Sequence, residues 1–252
     1  MFNSRNSFFN NIPFITKNLI LINILMWFAT IVAPRAFGMD LTDVLGLHYF
    51  ASQGFKPIQI ISYMFMHAGF DHLFFNMFAL FMFGGVIEQA FGRKRFLTFY
   101  FVCGIGAAAV QMLILYFQIQ HLQAELPFDV VQKIYTEGAD LLAQNYNYTD
   151  VAMGKLNSLL NSDMVGASGA VFGLLLAFGM LFPNQQIYIY FLLPLKAKWF
   201  VILYGLLEFF FGVSNNSGDN VAHFAHLGGM LFGFLLLMWW RWEAKSNNNK
   251  LL

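Results

Sequence analysis

Three short segments hold most of the side chains that could do chemistry: His67-Ala-Gly-Phe-Asp-His72-Leu-Phe-Phe-Asn76, Gly166-Ala167-Ser168-Gly169, and Ala222-His223-Phe224-Ala225-His226-Leu227-Gly228-Gly229. Each sits at the edge of a strongly apolar stretch, where an ionisable or strongly polar group is expensive and so defaults to a functional hypothesis. A serine hydroxyl within reach of an imidazole is the minimum for nucleophilic acyl chemistry. The first segment adds His72 and Asn76, four residues apart and hence on one helix face.

The elements that must position these groups follow from composition. Of 252 residues, 11% are charged, 58% are hydrophobic and 32 are Phe, against roughly 25% charged in soluble proteins. Mean hydropathy is +0.58. A soluble fold of this size has too little interior for that apolar surface, so the bilayer is the expected solvent. A net charge of +1 offers no polyanion-binding surface and excludes nucleic acid as a partner. The lone cysteine, Cys103, excludes an internal disulfide framework and any multi-cysteine zinc site. It reads as a small packing residue.

Helices of about 20 apolar residues span the hydrocarbon, and six candidates lie near 18–33, 70–91, 96–117, 164–182, 198–213 and 221–240. The expected fold is an all-α polytopic bundle of six transmembrane helices. Residues 1–17 form an inner tail with no removable signal peptide, 18–240 the membrane domain, and 241–252 an inner C-terminal tail. With both termini inside, inner segments hold ten of the fourteen Lys and Arg residues and outer segments four, the bias expected of cytoplasmic loops. Outer segment 34–69 is greasy and should lie in the interface or pack on the bundle. The acidic outer insertion 118–163 shows helical spacing in Val130, Val131, Ile134, Leu141 and Leu142, then in Val151, Leu156, Leu159 and Leu160, and predicts two short amphipathic helices. Ile187–Pro194 is apolar but too short to cross.

Depth ties the segments together. Asp163 to Ser168 is ~8 Å of helix and Asn220 to His226 ~9 Å, on the same side; His72 and Asn76 fall at roughly 5 to 10 Å when their span starts near Gly69. Gly169 with Gly173, and Gly229 with Gly233, are GxxxG pairs flanking Ser168 and His226, and such pairs let helix backbones approach closely. Singly, each motif reads as helix packing, an interhelical hydrogen bond or a proton relay. Packing alone gives no reason for Ser, His, His and Asn to share one depth. Glu88 reads as an acid bracing a loop or capping backbone, and Arg93-Lys94-Arg95 as a topological anchor. Glu208 lies inside span five, and the sequence offers it no partner.

Together these residues resemble the rhomboid family of intramembrane serine proteases, in its bacterial-type six-span form. The resemblance covers roughly 58–240. It rests on His67-x4-His72-x3-Asn76 followed by Gly84-Gly85-Val86-Ile87-Glu88, on Gly166-x-Ser168-Gly169, and on Ala225-His226-x2-Gly229-x3-Gly233. The family pattern sets its base three and seven residues before glycines, which selects His226 and leaves His223 as a structural or entrance residue. Phe55-Lys56-Pro57-Ile58-Gln59 stands where some members carry a Trp-Arg pair.

The resemblance implies hydrolysis of a peptide bond in or beside a transmembrane segment of a membrane-protein substrate. Ser168 is the expected nucleophile and His226 its base. No motif segment offers a carboxylate near His226, so a dyad oriented by packing is expected. The ring of His72, the amide of Asn76 and the backbone N–H of Ser168 are the expected oxyanion donors, with Gly166, Gly169, Gly229, Gly233, His67 and His223 in support. No cofactor and no metal are expected, and the partners are transmembrane substrates and the lipid bilayer. The expected location is a bacterial inner membrane with the site facing outward; oligomeric state is left open. A metalloprotease built on His67, His72, His223 and His226 lacks HExxH and a carboxylate at ligand spacing. An inactive client-binding relative has no need of both Ser168 and His226, and a transporter reading lacks an internal repeat.

Overall fold

The computed structural model describes residues 12–189, 193–214 and 221–246. Among them the regular elements are helices apart from one two-stranded antiparallel sheet, with loops and an isolated bridge between them. Five helices are long and apolar enough to cross a membrane: α1 (Phe14–Phe37), the continuous run Phe70–Phe91, α6 (Arg93–Glu125), α10 (Ala197–Ser214) and α11 (His223–Ser246). A sixth apolar helix, α9 (Ser168–Leu181), is shorter at 14 residues. This is an all-α polytopic membrane fold.

α9 forms the centre of the bundle, with ten of its fourteen residues buried, and packs against both α6 and α11, which also pack against each other. Glycine makes that packing possible. A β-carbon on Gly229 would collide with the carbonyl oxygen of Gly169, and one on Gly173 with Cys103 Sγ. The two GxxxG faces therefore meet backbone to backbone, with Cys103 of α6 filling the seam they share. The outward faces of α1 and α10 remain apolar and exposed, as lipid contact requires; Leu25, Phe28, Leu206 and Phe210 are examples.

Span two is interrupted. Following α2 (Leu41–Leu45), α3 (Gln59–Ser62) and a 3-10 turn (Tyr63–Phe65), it comprises α4 (Phe70–Ala79), a five-residue π turn (Leu80–Gly84) and α5 (Gly85–Phe91). The π turn keeps Asn76 and Glu88 both buried, at opposite ends of one run. Glu88 accepts hydrogen bonds from Ile15 N (2.9 Å), Thr16 N (2.7 Å) and Thr16 Oγ1 (2.8 Å), and so caps the first turn of α1. That is the bracing role its position suggested. Glu88→Ala orphans three donors, two of them on buried Thr16, and is expected to lower stability by about 1–3 kcal/mol. Thermal unfolding in detergent would show it, and an unchanged midpoint would refute the capping role.

Segment 34–69 packs on the bundle, as one of its two expected placements has it. Leu47, Tyr49, Tyr63, Met64 and Met66 are buried against the bundle, while Phe37 and Phe50 stay exposed. Asp40 caps α2 through Thr42 N and Asp43 N. The buried amide of Gln59 binds His48 N, Lys56 N, Val44 O and Gly54 O.

Several boundaries differ from the sequence reading. α6 runs on to Glu125 rather than stopping near 117, because α7 (Phe128–Ala143) and α8 (Val151–Asn161) cover its extension. Ile119 and Leu122 pack there with Val131, Ile134, Leu156, Leu160 and Tyr49 in a second small core. Span four starts at Ser168 rather than 164. Met164 is paired with Leu47 in an isolated β-bridge, and Gly166 (φ +130°) holds a conformation that side chains resist. The apolar stretch after Pro183 forms a hairpin in which β1 (Gln186–Ile189) pairs antiparallel with β2 (Leu193–Lys196).

Candidate active site

Two helix starts build the centre. Ser168 is the first residue of α9 and His226 lies in the first turn of α11. The close approach of Gly169 and Gly229, one residue after Ser168 and three after His226, brings the two side chains together. His226 Nε2 lies 2.8 Å from Ser168 Oγ. The imidazole face stacks on Phe172, one turn below Ser168, with ring centroids 4.1 Å apart and planes 6° off parallel. Tyr204 of α10 packs against Phe172 in turn, with ring centroids 4.9 Å apart.

The third contact of His226 was absent from the sequence reading. Its Nδ1 lies 2.8 Å from Glu208 Oε2, and His223 Nδ1 approaches the same oxygen at 2.7 Å. The expectation of no neighbouring carboxylate is thus corrected: the acid comes from span five, which carries no recognisable motif. A signal did exist. Ala197, Val201 and Glu208 are the buried residues of α10, at the spacing of one helix face, so Glu208 points inward. Glu208 and both imidazoles are nearly fully buried. These three residues also place one ligand atom each within 4.8 Å of one another. Both Nδ1 atoms converge on a single carboxylate oxygen, the geometry of a hydrogen-bonded fork.

His72 and Asn76 reach the same space from α4. Both line the large cavity that also exposes Ser168, Phe172, His223 and His226, a volume of about 1940 Å³ bordered by α4 and α10. A β-carbon on Gly166 would lie 2.8 Å from His72 Nε2 and 3.6 Å from Ser168 Oγ, so the bare glycine lets the second imidazole approach the Ser168 hydroxyl. One N–H of the Asn76 amide is given to His72 O at 2.9 Å. The amide has a second N–H to offer. Gly166 N donates to Tyr63 O (2.9 Å), and Tyr63 Oη donates to Gly104 O (2.7 Å), which ties the Gly166 turn to α6.

His67 stands behind this wall. It is buried, its ring centroid is 5.1 Å from that of His72, and burial, with His72 as second cause, pushes its pKa down to about 3. It is therefore a neutral ring at physiological pH, packed against His72. Asp163, also on the cavity wall, has its carboxyl pushed above the usual range by burial. Of the residues the sequence singled out, Ser168, His226, His72, Asn76, Gly166, Gly169 and His223 gather at this cavity. Gly229 and Gly233 lie in the α9–α11 seam.

Comparison with known proteins agrees with this architecture. A family model described as the rhomboid domain matches residues 55–122 and 134–242, and the chain belongs to the rhomboid family. It is 30% identical over 209 residues to RHOMBOID-like protein 6, mitochondrial, of Arabidopsis thaliana, covering 79% of this chain and 50% of that protein. It is 25% identical over 227 residues to the rhomboid protease AarA of Providencia stuartii, covering 88% and 70% respectively. A putative rhomboid protease of Bacillus subtilis, YdcA, is 27% identical over 183 residues, covering 71% and 64%. The chain spans about half the length of the plant and fission-yeast mitochondrial relatives it matches.

Proposed function

We propose that this chain is an intramembrane serine endopeptidase that cuts membrane-protein substrates within or beside a transmembrane segment. The 2.8 Å contact between Ser168 Oγ and His226 Nε2 carries the reading. Membership of a family that includes a named rhomboid protease supports it.

In the first half-reaction Ser168 Oγ attacks the scissile carbonyl carbon while its proton passes to His226 Nε2. The carbonyl oxygen becomes an oxyanion. As the tetrahedral adduct collapses, the C–N bond breaks and Nε2 returns the proton to the leaving amine. Water then gives a proton to Nε2 and adds to the Ser168 ester; the serine leaves with that proton and frees the new carboxylate. The oxyanion is held by the first-turn N–H of Ser168, which has no intrahelical acceptor, by the remaining N–H of Asn76 and by His72. Asn76→Ala and His72→Ala are each expected to lower kcat by about 10²–10³, with smaller changes in KM. A kcat within about threefold of wild type would remove that residue from the oxyanion role.

Six crossings, with both termini on the inner side and the site near the outer face, complete the proposal. Water reaches the polar groups through the cavity, and the apolar walls contributed by α4 and α10 accept a substrate helix. Locally unwound substrates, with Gly or Pro near the scissile bond, are preferred. Segment 34–69 and α10 remain candidate gates; the loop 215–220, another, lies outside the described residues. The chain is a multi-pass integral membrane protein. Its relatives include both mitochondrial and bacterial rhomboids, which does not support the bacterial inner membrane expected from sequence.

The test is cleavage of a single-span model substrate by purified protein in liposomes, together with fluorophosphonate labelling. Cleavage that survives chelators, with the label on Ser168, is expected. Abolition by chelators without serine labelling would favour a metal at Glu208, His223 and His226 and overturn the proposal.

A further inference from the structure

We infer that Glu208 is the third member of the catalytic constellation, a positioning residue that fixes the working tautomer of His226 and carries the charge that develops on it. The inference rests on the serine-peptidase reading above and goes beyond the Ser168–His226 pair.

The argument is one of donors and acceptors. An ionised carboxylate can only accept hydrogen bonds. Glu208 Oε2 lies 2.7 Å from His223 Nδ1 and 2.8 Å from His226 Nδ1, so both Nδ1 atoms must carry protons. A neutral imidazole protonated on Nδ1 presents its lone pair on Nε2. For His226 that lone pair faces Ser168 Oγ at 2.8 Å, which is the base-competent tautomer. When Nε2 takes the serine proton, the ring becomes a cation bonded to a buried anion, and the positive charge that develops on it has a counterion in place.

Phe172 fixes the plane of the ring by stacking, but stacking cannot choose between two tautomers. Glu208 does. The other groups near this imidazole are Ser168 from α9, His72 from α4 and His223 from its own helix, with Tyr204 of α10 against the Phe172 ring on which it stacks. None of these supplies a negative charge. Burial supplies the second observation: Glu208 is 5% exposed in a helix with no other acid. A carboxylate in such a place is expensive unless paired, and its partners are the imidazoles. His223 then has a task as well, since its Nδ1–H occupies the same oxygen and holds the carboxylate in register.

The experiment compares wild type with Glu208→Gln and Glu208→Asp in liposomes, measuring kcat, KM, the fluorophosphonate reaction rate at Ser168 and the unfolding midpoint. A Gln amide can donate to Nδ1 and so trap the opposite tautomer, as happens when the triad acid of serine proteases is made an amide. Glu208→Gln is expected to lower kcat and the labelling rate together, by tenfold to a hundredfold, with KM within twofold of wild type. Glu208→Asp should recover at least a threefold part of the loss, because it restores the charge. A kcat for Glu208→Gln within twofold of wild type would overturn the inference. A loss confined to KM, or one that merely tracks the folded fraction, would do the same. Nitrogen NMR of histidine-labelled wild type provides a reading that needs no substitution at Glu208: a proton on Nδ1 of His226 is expected, and one on Nε2 with a bare Nδ1 would sink the idea. If wild type neither cleaves nor labels, the peptidase reading itself has failed. If it does both and Glu208→Gln matches it, only the role of Glu208 is lost.

Discussion

Ser168→Ala is expected to reduce cleavage by on the order of 10⁴-fold or more while leaving the fold intact. The loss is large because, on the proposed reading, Ser168 forms the acyl intermediate, with His226 as its base and His72 as an oxyanion donor. The substitution also removes the hydroxyl 2.8 Å from His226 Nε2, but the ring stays held by Phe172 and Glu208. Deleting a hydroxyl with one hydrogen bond at the cavity wall changes stability by about 0.5–1.5 kcal/mol at most. An inactive, unlabelled protein with a near-wild-type unfolding midpoint is the expected result. His226→Ala should match it in rate. Residual cleavage above about one hundredth of wild type in Ser168→Ala would exclude Ser168 as nucleophile.

Gly229→Val is expected to destroy activity by a different route and to damage the fold as well. Its added carbons have nowhere to go, since even a β-carbon there would collide with the carbonyl oxygen of Gly169. Backbone cannot rotate aside as a side chain can, so α11 must move away from α9. Overpacking of this kind costs about 1–3 kcal/mol and sometimes more. The same shift separates His226 from Ser168, and misplacement of reacting groups by about 1 Å lowers rates about 10²-fold. A drop in kcat/KM of at least about 10² and a lowered unfolding midpoint are therefore expected together. Gly205→Ala in α10 is the control, because its β-carbon would meet only the flexible tip of Met230, at 3.4 Å. If Gly229→Val left rate and midpoint at wild-type values, the backbone contact between α9 and α11 would not be what positions the pair.

Much of this site was legible because its parts are local patterns. A serine between small residues, a histidine spaced from two glycines and a histidine one turn before an asparagine are each visible in a few positions. Equal depth joined them without coordinates. Glu208 escaped because its meaning depends on contact between helices: it has no neighbour in sequence to mark it, and only the spacing from Ala197 and Val201 shows that it faces inward. The length of α6 escaped for a related reason. Gln118, Gln120, His121 and Gln123 read as a loop, yet Ile119 and Leu122 face α7 and α8, so cover from elsewhere in the chain extends the helix. The start of α9 was misjudged by four residues because apolar content continues through Met164 and Val165, whereas Gly166 bends the backbone out of the helical region.

The wide turn at Leu80–Gly84 means that the two halves of span two need not share one angular setting. In an uninterrupted α-helix each residue advances about 100°, so whatever azimuth suits the carboxylate capping α1 would dictate where His72 and Asn76 point. The extra residue in the turn uncouples them. Anchorage at one end of the span and the aim of His72 and Asn76 at the other can then be adjusted separately, much as a joint in a rod lets its two ends be aimed independently.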